Sequence, residues 1–85
     1  MDISRDEQRV LHALAQGGRI AAIKNERGKI VGFEFFNRDG WLMNGITPLI
    51  FNKLKAKKAI KSQGGQPYRI TRRGLELVRS QLDNR

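Results

Sequence analysis

The chain has no cysteine, one histidine and two prolines in 85 residues. Between Gly40 and Leu75 it also has no acidic residue. Each absence narrows the reading. Without cysteine there are no disulfides and no thiolate metal sites, which fits a reducing compartment. With His12 as the only histidine, no serine–histidine or carboxylate–histidine set can be assembled, so the expectation is a protein that is not an enzyme, with no cofactor and no metal. Neither the glycine of "GKI" at 28–30 nor Gly64-Gly65 leads into a helix as a phosphate-binding loop would. No run approaches the roughly 18 apolar residues of a membrane span. The stretch "MDISRDEQRV" lacks the apolar centre of a signal peptide. The expectation is a soluble, cytoplasmic chain with no membrane partner.

The length suits one small domain over residues 1–85, burying roughly 60–65% of its unfolded surface. Ser4-Arg5-Asp6-Glu7 fits a capping box, and Val10, Leu11 and Leu14 follow as an apolar stripe. This predicts a helix over 4–16, stopped by Gly17-Gly18. His12 beside that stripe reads as a half-buried packing residue. Two apolar runs flank "KNERGK" and predict a β-hairpin, 19–24 with 29–36. Phe33, Phe35 and Phe36 cannot all share one face, so one of Phe35 and Phe36 lies near a surface or bend. "NRDG" is a turn and "WLMNG" a short strand or loop piece, with Trp41 read as a core plug or, less simply, an exposed anchor. Thr47-Pro48 starts a helix running to about Lys58, with Ile50 and Leu54, joined by Phe51, as its apolar stripe. A second hairpin follows, with Ile60 and Ile70 as anchors and Gly64-Gly65 at its tip. Thr71 caps a last helix whose inner face reads as Leu75, Val78 and Leu82.

The charge is segregated. Residues 1–39 carry seven bases against six acids, whereas residues 40–75 carry Lys53, Lys55, Lys57, Lys58, Lys61, Arg69, Arg72 and Arg73 unopposed. Such a field favours a polyanion or an acidic protein face. These eight residues are the candidate nucleic-acid or partner-binding set, with Gly64 and Gly65 as the wing tip. Reversing Lys53, Lys57 and Lys61 to glutamate is expected to weaken polyanion binding while leaving the fold intact. In the middle helix only Asn52 suits base reading, so phosphate or protein contact is expected rather than sequence readout.

Helix, strand, glycine tip, strand with "YRIT", helix: this order resembles the second half of a winged-helix domain, in which a recognition helix is followed by a two-stranded wing. The fold expected is therefore α+β, a small winged-helix-like domain with an extra N-terminal β-hairpin. That hairpin occupies the place of the helix that usually precedes the recognition helix. A winged-helix transcriptional regulator is the alternative function.

The runs "SRDEQRVLHALAQGGRI", "TPLIFNKLKAKKAIKS" and "GGQPYRITRRGLELVRSQLDNR" resemble, over essentially the whole chain, the YjhX family of small bacterial proteins. Asn44, Gly45 and Ile46 depart from the aspartate and cysteine that relatives tend to carry before the threonine. The resemblance implies a toxin of a toxin–antitoxin pair that inhibits DNA topoisomerase I. It also implies an antitoxin resembling a GNAT acetyltransferase. Contact with the enzyme, with DNA, or with both would suit the basic segment.

Overall fold

A computed structural model describes residues 3–83, with side chains as far as Arg79. Helix α1 (Arg5–Ala15) starts at a complete capping box. The Glu7 amide donates to Ser4 Oγ at 3.2 Å, and the Ser4 amide donates to Glu7 Oε1 at 3.2 Å. The helix ends in a Schellman motif, with Gly18 N–H donating to the Ala13 carbonyl (3.1 Å) and Gly17 N–H to that of Leu14 (3.0 Å). The two glycines serve different ends. Gly17 supplies the positive φ of 111°, whereas a Cβ on Gly18 would stand 2.6 Å from the Phe36 carbonyl oxygen.

Strands β1 (Arg19–Lys24) and β2 (Ile30–Phe36) pair antiparallel, Ile20 opposite Phe35 and Ala22 opposite Phe33. An asparagine closes the turn after each strand. Asn25 Oδ1 accepts from the amides of Arg27 and Lys29, and Asn37 Oδ1 accepts from those of Asp39 and Trp41. A short β3 (Leu42–Met43) then pairs with the far side of β2. Helix α2 (Pro48–Ala56) begins at Thr47, whose Oγ1 accepts from the Ile50 amide at 3.1 Å. Strands β4 (Ile60–Lys61) and β5 (Arg69–Ile70) form the second hairpin, Ile60 opposite Ile70. Helix α3 (Arg72–Asp83) follows. The architecture is α+β, with three helices and two small antiparallel sheets among the described residues. Between α1 and α2 the described chain holds strands and no helix, so α2 has no helix directly before it.

The two sheets meet at one point. Ile20 N–H donates to the Tyr68 carbonyl (2.9 Å) and Tyr68 N–H to that of Ile20 (2.7 Å), which ties the second hairpin to the edge of β1. Behind this junction lies the core: Val10, Leu11 and Leu14 of α1, Ile20, Phe35, Phe51, Leu54, Ala59, Ile60, and Leu77 and Val78 of α3. Phe51 is its centre, 4.3 Å from the Phe33 ring and 4.9 Å from that of Tyr68, centroid to centroid.

Four expectations change. The inner face of α3 is Gly74, Leu77 and Val78, at i, i+3 and i+4, and Leu75 is 39% exposed. Gly74 packs directly on the Ala59 backbone, and this contact sets the rotation of the helix. Leu82 lies outside the described side chains. Trp41 is not a core plug. It is 72% exposed at the outermost strand, its backbone held by the Asn37 turn. His12 is exposed, on the side of α1 away from Val10 and Leu14. Of the aromatic pair, Phe35 is buried and Phe36 is half-buried beneath the Arg19 guanidinium, 4.7 Å above its ring.

The fourth change is the end of α2, at Ala56 rather than Lys58. The exit is again a Schellman motif: Ala59 N–H donates to the Leu54 carbonyl (2.9 Å) and Lys58 N–H to that of Lys55 (3.0 Å). Here the left-handed position is filled by Lys58, with φ 59°, the one non-glycine residue with positive φ among those described. A side chain in that region costs about 1–2 kcal/mol. Part of this returns in glycine as backbone entropy, so Lys58→Gly is expected to stabilise the fold by about 0.5–1 kcal/mol. Thermal unfolding checks this; a lowered melting temperature would show that the Lys58 side chain contributes packing.

Candidate functional site

Seven of the eight candidate bases are exposed: Lys53 and Lys55 on α2, Lys58 at its exit, Lys61 and Arg69 on the hairpin, and Arg72 and Arg73 at the start of α3. Local structure brings these segments together. Thr71 Oγ1 donates to the Lys58 carbonyl at 2.6 Å and accepts from the Gly74 amide at 3.1 Å, so the α3 start lies against the α2 exit. The Thr71 amide also donates to the Ala59 carbonyl (2.9 Å). At the tip, Gly64 and Gly65 have φ of 57° and 77°, a backbone that disfavours side chains. The turn is closed by Gln66 N–H on the Gln63 carbonyl and by Ser62 Oγ on that of Gln66.

The bases differ in what surrounds them. The Lys55 ammonium stands 6.0 Å from the Tyr68 ring centroid, a weak cation–π contact at this exposed site. Arg73 reaches Glu76 at 3.5 Å, an exposed pair of little energetic weight. Lys61 and Arg69 sit directly opposite each other across the two-residue ladder. Like charges in that relation destabilise a hairpin.

Lys57 stands apart. It is half-buried, and its ammonium donates to Glu7 Oε2 at 2.6 Å. The Glu7 side chain is 2% exposed. Burial alone would raise the Glu7 carboxyl, but the hydrogen bond from Lys57, the bonds with Ser4 and the Lys57 charge together hold it below its ordinary value of 4.5. Lys57 therefore joins α2 to α1, and the expectation that its reversal would spare the fold is corrected: a glutamate there would set a second carboxylate beside a buried one.

Lys24 is a base that the sequence reading did not include. With Ala22, Ser62, Gln66 and Tyr68 it lines a cleft between β1 and the second hairpin. The available signal was alternation along β1, which sets Lys24 on the same face as Ile20 and Ala22. Among the described residues no group of three or more His, Cys, Asp or Glu side chains is placed to hold a metal ion, and no helix is long and apolar enough to cross a membrane.

Comparison with known proteins gives one family. Its model, described as "Putative toxin of bacterial toxin-antitoxin pair", matches residues 1–85. Among curated relatives, UPF0386 proteins of Rhizobium etli and Rhizobium rhizogenes are 64% and 65% identical to this chain over 85 residues, and one of Agrobacterium fabrum is 60% identical; each match covers the full length of both chains. No solved structure gives a significant match. With its whole length matched by the family model and by these relatives, the chain belongs to the YjhX toxin family.

Proposed function

We propose that this chain is the toxin of its pair and inhibits DNA topoisomerase I without catalysing a reaction itself, through the basic face formed by α2 and the β4–β5 hairpin. The observation that carries the surface assignment is the display of Lys53, Lys55, Lys58, Lys61, Arg69, Arg72 and Arg73 on adjoining segments of a stretch, 40–75, that contains no acidic residue. The enzyme as target comes from the family resemblance, as does an antitoxin resembling a GNAT acetyltransferase. A positive face steers the chain toward DNA and toward an enzyme whose working surface carries DNA, raising the association rate in either case.

The test is relaxation of negatively supercoiled plasmid by topoisomerase I, with and without the purified chain. Inhibition that weakens as salt rises is expected; an unchanged rate of relaxation would sink the reading. A random duplex should also bind without sequence preference. If about four of the bases contact phosphates, its affinity should fall by ~10²-fold between 50 and 200 mM salt. The alternative, a transcriptional regulator of winged-helix type, has less support. Helix α2 displays Asn52 among lysines and has no helix directly before it.

A further inference from the structure

We infer that the foot of the β4–β5 hairpin, formed by Lys58, Lys61, Arg69 and Arg72, is a binding site for the phosphodiester backbone of duplex DNA. The inference rests on the reading of the basic face above and picks out one part of it. Its ground is a coincidence of unfavourable placements. Lys58 occupies a left-handed position where glycine would relieve strain. Lys61 and Arg69 face each other as like charges in a ladder only two residues long. Arg72 and Arg73 open α3 at the positive end of its dipole, with no acidic residue in that first turn. Arg73 is partly relieved by Glu76; among the described residues no carboxylate forms an ion pair with the others. The Thr71–Lys58 hydrogen bond draws these segments together.

Each placement weakens the free protein, and one kind of ligand relieves the second and third and makes use of the first. An anion at the foot screens the Lys61–Arg69 repulsion and satisfies the helix start, while the Lys58 ammonium contributes to its binding. Cross-strand neighbours have Cβ atoms about 5 Å apart, a spacing at which two cations can share one phosphate group. Phosphate fits better than a protein face. A protein interface has an apolar, aromatic-rich centre, whereas the exposed Trp41 and Leu42 lie on the β3 side of the first sheet and the hairpin joins it at β1. At the tip, Gly64 and Gly65 leave open space where side chains would stand, so a backbone can approach closely.

The test uses the full chain and a short random-sequence duplex, titrated by fluorescence anisotropy over a salt series. The double variant Lys61→Gln/Arg69→Gln is expected to lower the slope of log affinity against log salt by about 1, for the one phosphate that the two cations share. Arg27→Gln/Lys29→Gln, on the β1–β2 turn, is the control and should leave the slope near wild type. Lys61→Glu is expected to raise the melting temperature by a few degrees, by turning repulsion into attraction, while it weakens DNA binding. The proposal is overturned if the double variant, folded as wild type, keeps the wild-type slope. It is overturned equally if that variant binds DNA normally but no longer inhibits relaxation, since the foot would then meet the enzyme. A reduced slope with no inhibition of relaxation by the wild-type chain would leave this site standing and remove the inhibitor reading.

Discussion

Lys57→Met is expected to destabilise the protein by about 3 kcal/mol at neutral pH, because it leaves the Glu7 carboxylate buried and without its cation. For a chain of this size that is a large part of the total stability. The pH response separates this from ordinary loss of packing. In the wild type the Glu7 carboxyl is held below 4.5. Its contribution is therefore fully present above that value and lost as pH falls through the lower, folded-state value. Without Lys57, burial is opposed by Ser4 alone, so the folded-state value rises and protonation relieves the buried charge. The gap between variant and wild type should narrow as pH drops from 7 toward 4 in urea unfolding series. Adding Glu7→Gln to Lys57→Met should recover most of the loss, since glutamine keeps the capping box with Ser4. A gap that stays constant with pH would show that the pair contributes through shape and not through charge.

Gly74→Ala is expected to destabilise by about 2–3 kcal/mol, the cost of overpacking a tight contact. Helix propensity argues the other way: alanine in a helix interior is favoured over glycine by about 1 kcal/mol. The structure decides between them. A Cβ at Gly74 would collide with the Ala59 carbonyl oxygen and stand 2.6 Å from Ile70 Cγ1. The carbonyl is main chain and receives the Thr71 amide, so it cannot move without loosening the joint between α2 and α3. Chemical denaturation of the variant measures the sign; an increase in stability would mean that α3 can slide away from Ala59 at little cost.

Local signals in the sequence were strong enough to place the elements. The capping box at Ser4, the Thr47-Pro48 start and the glycine-bounded hairpins are short-range devices, and the chain folds around them as read. What could not be read depends on contacts distant in sequence. Leu75 and Leu77 are equally apolar, and only the seating of Gly74 on Ala59 turns one outward and the other inward. Lys57 looks like its neighbours until α1 supplies Glu7, 50 residues away. Lys61 and Arg69 are simply two bases in a basic run until hairpin register sets them face to face. The candidate surface was thus visible as composition, while its internal differences belong to the tertiary structure.

The Ile20–Tyr68 junction bears on when the basic surface takes shape during synthesis. A ladder of two residue pairs does not hold by itself in water. The hairpin takes shape when Tyr68 docks on a strand made nearly fifty residues earlier, and α1 and α3, at opposite ends of the sequence, pack together as well. A chain still emerging from the ribosome therefore carries its lysines on an unformed segment. The shaped basic surface therefore forms only after Tyr68 has been made and has docked on β1, and a chain interrupted before that point would carry the lysines without the shape.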